Sequence, residues 1–417
     1  MKIGYVGLGA MGKALATRLT HKHDLLVWDL NPDARAQLVA AGATSADSLA
    51  DLGQRCDVIF LCLPKSTHVE SALFGKDSLY MHVKPGSVIV DQTSGVPSMT
   101  LAFSEKLAVK DVALLDAPVA GGVPAAEAGT ITVMASGDTD CFTRIKNLLT
   151  DISPKVFHCG ERVGSAQMVK SINNLLNTAN RMMTLELAAM GRVMGLNMAD
   201  IITSANRDNS QSFLTARLLP GIAERKASTD FAIELMVKDT NMASDFAHSH
   251  GTAMPVCEMG RGFLNIGLRS IGPDARLEDL IPFVQNMFGV EYNGSAEHGL
   301  VDNAAVLAEA FAACHQVIAF EGLLLAKKAG LDLVEFCNVI NAGSGASAAG
   351  NALFEAVLNP DCPHQLATIR QLHQSIQPLT TLARQHQLPA LMLNQVCAAL
   401  TAAVEKVGED GCFTQLL

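Results

Sequence analysis

The 417-residue chain has no excess of positive charge. Its 31 Lys and Arg face 41 Asp and Glu, for a formal net charge of -10. Such a chain suits neither nucleic acid nor an anionic membrane surface, so neither is expected as a partner. Apolar stretches occur, but the sequence offers no uninterrupted run of bilayer length, so no membrane span is expected. A strand beginning at residue 2 leaves no room for a signal or transit peptide. The ten cysteines are scattered, with no C-x-x-C pair, and are read as reduced, mostly buried thiols. The twelve histidines show no H-E-x-x-H spacing, so no metal is expected. His248 and His250 are close neighbours, but they read as a solvated helix end. What remains is a soluble, cytoplasmic protein of two or three domains.

The first signal present is at the start. Residues 1 to 7 read as a short apolar strand and Ala10 to Leu19 as a helix, with Gly7-Leu8-Gly9-Ala10-Met11-Gly12 between them. This is the strand, G-x-G-x-x-G, helix order of a dinucleotide-binding unit. The first glycine allows a tight turn, the second lets backbone approach a pyrophosphate, and the third lets helix and strand pack. Helix N-terminal amides then hold the phosphates. A second strand, Leu25 to Trp28, ends at Asp29, where a ribose hydroxyl acceptor belongs. A carboxylate there repels a 2′-phosphate, so NAD is favoured over NADP. Arg35 lies on the following helix and could blunt that preference, but no arginine directly follows Asp29.

Short apolar runs alternate with helical segments to about residue 160, which implies a mostly parallel sheet covered on both faces. Strand candidates are Val58 to Leu61, Val88 to Val90, Ala113 to Leu115 and Ile131 to Ala135. Ligands bind at the carboxyl ends of such strands. Those ends carry Leu63-Pro64, then Asp91-Gln92-Thr93-Ser94, then Asp116 to Gly122. Gly121 and Gly122 offer unshielded backbone N–H groups suited to a carboxylate, although a plain glycine turn would read the same way.

The second signal is Lys170, in Gly164-Ser165-Ala166-Gln167-Met168-Val169-Lys170-Ser171-Ile172-Asn173-Asn174. A loop feeds an apolar helix, and a lone ammonium enters it beside two amides. Asn174, four residues on, shares the lysine's face. A lysine in a partly apolar, hydrogen-bonded place can move its proton near neutral pH. Alone it would read as a solvated helix lysine. The fingerprint before it changes that reading.

Together these motifs resemble the β-hydroxyacid dehydrogenase family, which includes 3-hydroxyisobutyrate dehydrogenase and related semialdehyde reductases. The resemblance covers residues 1 to about 290. It rests on the glycine fingerprint, on Asp116 to Gly122 continued by Ala126, Gly129-Thr130 and Met134, on Gly164 to Asn174, and on Phe231, Leu235, Lys238 and Asp239. It implies Lys170 as catalytic acid/base and Asn174 as its catalytic partner, which, with Asn173 beside it, would hold the substrate and steer the lysine. It implies that Ala120, Gly121 and Gly122 face the substrate carboxylate. Leu63, Pro64, Thr93 and Ser94 would line the nicotinamide side. Phe231 and Asp239 would close the site, and Lys238 would reach the cofactor. Ala120 stands where the family usually has serine, removing one substrate hydrogen bond worth about 1 kcal/mol. Thr93-Ser94 replaces the usual Ser-Thr. Imine reductases share the fold but replace the lysine, so Lys170 argues against that branch.

The third signal is a repeat. Glu186, Gly195, Leu196 and Asn206 recur as Glu321, Gly330, Leu331 and Asn341, an offset of 135 residues. Arg192, Asn197 and Asp200 recur as Lys327, Asp332 and Glu335. At that offset Lys170, Asn173 and Asn174 become Ala305, Ala308 and Glu309, and Lys238 maps near His373 or Leu372. No second glycine fingerprint accompanies the repeat, so it reads as structural. The expected organisation is an α/β Rossmann-type domain (1–162), then an all-α domain in two tandem copies (163–292 and 293–417). The second copy would cover apolar faces that shorter members bury against a partner subunit, much as 6-phosphogluconate dehydrogenase uses an internal duplication. A homodimer is the family-like expectation.

The expected function is NAD-dependent hydride transfer between a small 3-hydroxy acid and its semialdehyde or keto acid. Two alternatives stand beside it: an oxidative decarboxylase resembling 6-phosphogluconate dehydrogenase, and a non-catalytic cofactor-binding scaffold. The first lacks a basic cluster for a sugar phosphate near Asn174. The second does not need an intact Lys170 and Asn174.

Overall fold

The protein, seen here as a computed structural model, is described over residues 1–294, 301–361 and 366–417. One of the ten cysteines, Cys362, lies outside the described residues; the other nine are free thiols. The chain forms two compact units, Met1–Lys170 and Ser171–Leu417.

The first unit is built on short strands that, all but one at the sheet edge, are largely apolar on both faces, as a covered parallel sheet requires. They are β1 (Ile3–Val6), β2 (Leu25–Trp28), β3 (Thr44–Ser45), β4 (Val58–Leu61), β5 (Val88–Asp91) and β6 (Ala113–Asp116). The order is β3-β2-β1-β4-β5-β6, and every pair is parallel. Because side chains alternate along a strand, one sheet feeds two cores. Ile3, Tyr5, Val58, Phe60, Val88 and Val90 enter one; Val6, Ile59, Leu61 and Ile89 enter the other. This order places the switch point beside β1, where the glycine turn sits.

The run expected as strand Ile131 to Ala135 is found elsewhere. It forms β8 (Thr132–Ala135) in a separate three-stranded sheet with β7 (Val119–Ala120) and β9 (Val156–His158). β7 and β8 are antiparallel. The turn at Gly121 and Gly122 and the helix Gly122–Glu127 carry the chain back on itself, which a parallel crossover could not do in so few residues. The sequence carries no signal for β3, a two-residue exposed edge strand.

The second unit is helical. Its long helices are Ser165–Val193, of which residues 165–170 belong to the first unit, and Val301–Lys328, and each is followed by a matching set. Met198–Ala205, Ile233–Ser249 and Pro255–Ile271 correspond to Leu333–Ala342, Ile369–Gln385 and Leu391–Val407, at about the 135-residue spacing of the sequence repeat. The two sets interleave. Pro255–Ile271 packs on both Val301–Lys328 and Leu391–Val407, and Met198–Ala205 packs on Val301–Lys328. Ser212 and Ser347, themselves 135 apart, meet in an antiparallel bridge.

Each long helix buries a glutamate that caps a helix of the other set. Glu186 accepts the Met392 and Leu393 N–H groups at 3.0 and 2.8 Å. Glu321 accepts those of Val256 and Cys257, both at 2.9 Å. These are otherwise orphan donors of a helix first turn. Burial pushes both carboxyls up to about 7, against the N–H bonds that favour the ionised form.

One helix meets the length and composition of a membrane span. Asn303–Lys328 is long and apolar enough to cross a membrane by length and composition, with a mean hydropathy of 1.3. Glu309, His315, Gln316 and Glu321 interrupt its apolar run. More than half of this window, 56%, is buried inside the protein.

Candidate active site

The glycine turn is shaped by three different demands. Gly7 has φ +94°, and a Cβ there would stand 2.3 Å from the Cys62 carbonyl oxygen. A Cβ on Gly12 would lie 2.0 Å from the Gly7 carbonyl oxygen. One on Gly9 would meet no atom within 4 Å. Gly9 caps the helix Ala10–Thr20, and no side chain caps that end. The open side of the turn therefore presents bare backbone at a helix N-terminus, a cradle that fits a pyrophosphate. Leu8 is buried, Met11 half-buried and Ala10 exposed.

Asp29, just past β2, is tied to this turn. Its Oδ2 accepts the Leu8 N–H at 2.6 Å and its Oδ1 the Asn31 N–H at 2.8 Å. Each oxygen keeps a lone pair for a further donor. Arg35 stacks over the Trp28 ring, with its guanidinium carbon 4.6 Å from the centroid.

The residues expected around the chemistry fall in two parts, one in each unit. In the first, Lys170 is buried and its Nζ donates to Ser94 Oγ. Ser94 follows β5 by three residues. Beside it Thr93 is buried, takes the Leu63 N–H on its Oγ1 at 3.1 Å, and donates its own N–H to Asp91 at 3.0 Å. Leu63 is half-buried and Pro64 exposed.

The start of the lysine's helix is held by Asp116, at the end of β6. Its carboxylate accepts the Ser136 hydroxyl and the N–H groups of Gly164 and Gln167, the latter two at 2.7 and 2.9 Å. Ser136 Oγ also accepts the Ala166 N–H at 2.9 Å. Burial pushes the Asp116 carboxyl up to about 6 despite these bonds. Burial likewise raises Asp91 to about 7. Gly121 and Gly122 turn the chain after β7 with φ of +138° and +77°, which only glycine adopts readily; Ala120 is half-buried beside them.

In the second unit, Asn174 Nδ2 donates to Asp239 Oδ2 at 2.8 Å, and Lys238 Nζ lies 3.3 Å from Asp239 Oδ1. Asn174 and Asp239 are buried and Lys238 half-buried. Phe231 is half-buried, and its carbonyl accepts the Leu277 N–H at 2.9 Å.

Comparison with known proteins gives the same reading. Residues 2–160 match the family described as the NAD binding domain of 6-phosphogluconate dehydrogenase. Residues 164–284 and 302–417 match the one described as NAD-binding of NADP-dependent 3-hydroxyisobutyrate dehydrogenase. The 2-(hydroxymethyl)glutarate dehydrogenase of Eubacterium barkeri is 30% identical over 297 residues, 70% of this chain and 98% of its own. The NAD-dependent L-serine dehydrogenase of Pseudomonas aeruginosa is 33% identical over 264 residues, 61% of this chain and 88% of its own. The chain belongs to the β-hydroxyacid dehydrogenase family.

It is thus a nicotinamide-dinucleotide-dependent dehydrogenase. Solved structures extend the likeness of fold. 3-Hydroxyisobutyrate dehydrogenase of Mycobacterium tuberculosis aligns with a TM-score of 0.63 at 22% identity, over 68% of this chain and 99% of its own. Plasmodium falciparum 6-phosphogluconate dehydrogenase aligns with a TM-score of 0.72 at 15% identity, over 100% of this chain and 94% of its own. This β-hydroxyacid dehydrogenase is therefore longer than many relatives, and its whole length has a structural counterpart.

Sequence reasoning did not foresee what holds the lysine's helix. Asp116 was visible as a strand end, but its role depends on Ser136 and Gly164, 20 and 48 residues away. A buried acid ending an apolar strand is the only trace of it in the sequence. Asn173, expected to hold substrate, is 1% exposed, and its amide is turned to a loop of the helical unit.

Proposed function

We propose that the protein is an NAD-dependent oxidoreductase that interconverts a small 3-hydroxy acid and its semialdehyde or keto acid. The observation that carries this reading is Lys170, buried on its helix with Nζ on Ser94 Oγ and with Asn174 one turn further along. A solvated helix lysine would be neither buried nor held by a strand-end hydroxyl.

Gly7 to Gly12 would hold the pyrophosphate, and Asp29 the adenosine ribose. The Asp29 carboxylate would repel a 2′-phosphate, so NAD is the proposed cofactor; Arg35, stacked on Trp28, is the residue that could blunt this preference. When bound, the nicotinamide accepts or returns the hydride. In oxidation, Lys170 acts as the neutral amine: its Nζ takes the hydroxyl proton and becomes the ammonium as the C–H bond gives up its hydride and the C–O bond becomes a carbonyl. In reduction, Lys170 returns that proton to the forming alkoxide. Ser94 orients the ammonium. Gly121 and Gly122 would receive the substrate carboxylate on backbone N–H groups, with Ala120 leaving room beside it.

We further propose three domains, 1–162, 163–292 and 293–417, the last a second copy that keeps the packing glutamate and lacks the lysine. The interleaved helix sets and crossed glutamate caps support this division. A cytoplasmic homodimer is the proposed working form.

The test is absorbance of the reduced nicotinamide with NAD or NADP and a panel of 3-hydroxy acids, including 6-phosphogluconate. Turnover of a small acid with NAD is the expected result. Turnover of 6-phosphogluconate with release of carbon dioxide would replace this reading with the decarboxylase, whose support is the whole-length likeness of fold. Cofactor binding with no turnover on any acid would favour the scaffold.

A further inference from the structure

Asn173 precedes Asn174 on the same helix, and its amide is oriented from far away in the chain. Its Oδ1 accepts the Gly345 N–H at 2.9 Å. Its Nδ2 donates to Ser344 Oγ at 3.1 Å and to Asn174 Oδ1 at 3.4 Å. The Nδ2 of Asn174 then donates to Asp239 Oδ2 at 2.8 Å. Both amide orientations are forced by chemistry. A backbone N–H can only donate, so Asn173 must show it oxygen. Asp239 Oδ2 accepts, so Asn174 shows it nitrogen.

The same loop is gripped further along. Asn177 Nδ2 donates to the Ser344 carbonyl at 3.1 Å, and Asn180 Nδ2 to the Gly345 carbonyl at 3.2 Å. Spacings of three and four residues put the three amides on one helix face. The loop has little room for side chains. A Cβ on Gly343 would lie 2.5 Å from Asn173 Oδ1, and one on Gly345 3.1 Å from the same atom. Between them Ser344 supplies a hydroxyl that meets the Asn173 amide.

We propose that the loop Gly343–Ser344–Gly345 is a positioning element for Asn174. Ser344 and Gly345 lock the Asn173 amide. Asn173 then fixes Asn174 Oδ1, and Asp239 fixes its Nδ2. What Asn174 keeps for substrate, one Nδ2 hydrogen and one Oδ1 lone pair, is held in a set direction. The second helical set thus contributes to chemistry through a loop, although Ala305 stands where a counterpart of Lys170 would be. This rests on the reading of Lys170 and Asn174 given above.

The experiment is a double-mutant cycle with Ser344→Ala and Asn174→Ala, with Ser344→Thr as the conservative control. Ser344→Ala is expected to lower kcat about tenfold, the size of one lost hydrogen bond to an aligning amide, while cofactor affinity stays within about twofold. Ser344→Thr should restore most of it. In the Asn174→Ala background, Ser344→Ala should cost nothing further. Equal losses in both backgrounds would overturn the relay. A separate readout is the side-chain amide resonances of Asn173 and Asn174 by NMR. Both should move in Ser344→Ala. Movement of Asn173 alone would also overturn the relay. If the wild-type enzyme turns over no acid, the functional reading fails, and the two resonances still decide the relay.

Discussion

The two long helices of the helical unit occupy matching places and do different work. On Ser165–Val193, the residues facing the neighbouring loop are Asn173, Asn177 and Asn180, and they hold Gly343–Gly345 by its backbone. At the same positions Val301–Lys328 has Ala308, Ala312 and His315. Lys170 and Asn174 are buried, whereas their counterparts Ala305 and Glu309 are exposed. Burial pushes the His315 imidazole down to about 4, so it is neutral at ordinary pH. Yet Glu186 and Glu321 do the same job in both halves, each capping a helix of the other set. What the two halves share is what packing needs. What they do not share is the pair of residues, Lys170 and Asn174, proposed to carry the chemistry.

The largest effect expected from this comparison separates the two helices as catalysts. Lys170→Ala should lower kcat by about 10²–10⁴-fold with NAD affinity nearly intact, by stopped-flow turnover and cofactor titration. Glu309→Ala, at the position matching Asn174, should leave kcat unchanged. A comparable loss from Glu309→Ala would make the second half a working site and break the contrast.

A smaller effect concerns what the halves share. Glu186→Ala and Glu321→Ala should each destabilise the protein by about 1–3 kcal/mol in chemical denaturation, because each strands two buried N–H donors. Similar values would sharpen the equivalence of the two caps. A large cost for one alone would show that only one half depends on its cap.

The smallest effect is a pH slope. Folding raises Glu186 and Glu321 from about 4.5 unfolded to about 7, so the folded state binds these protons more tightly. That contribution is fully present below about 4.5 and is lost as pH rises through 7. Asp91, also raised to about 7, acts in the same direction. His315 opposes them below its unfolded value of 6.5, because the folded state resists its protonation. The melting temperature should therefore fall between pH 6.5 and pH 8. Glu186→Gln and Glu321→Gln should each flatten that slope. A wild-type protein that melts higher at pH 8 would contradict the assignment.

Much of the first unit was legible because its signals are local. A glycine that needs positive φ, an apolar run of strand length and an acid at a strand end are read within a few residues. The antiparallel β8 was misplaced because its apolar run is identical in kind to a parallel strand's. Only its pairing with β7 sets it apart. That Asn173 turns its amide to Ser344 and Gly345 is not legible in the sequence, because adjacency to Asn174 on a helix does not say which way a side chain faces.

The sequence by itself determined the glycine turn, the acid at Asp29, the one-turn spacing of Lys170 and Asn174, and the 135-residue repeat. Each is a matter of backbone conformation or helical period, which short stretches of chain dictate. The tertiary structure alone decided that Lys170 meets Ser94, that Asn173 is locked by Ser344 and Gly345, and that each glutamate caps the other half's helix. Those contacts join residues 64 to 207 positions apart. They exist only once helices have crossed, because buried amides and carboxylates must find partners wherever packing leaves a donor or acceptor exposed to them.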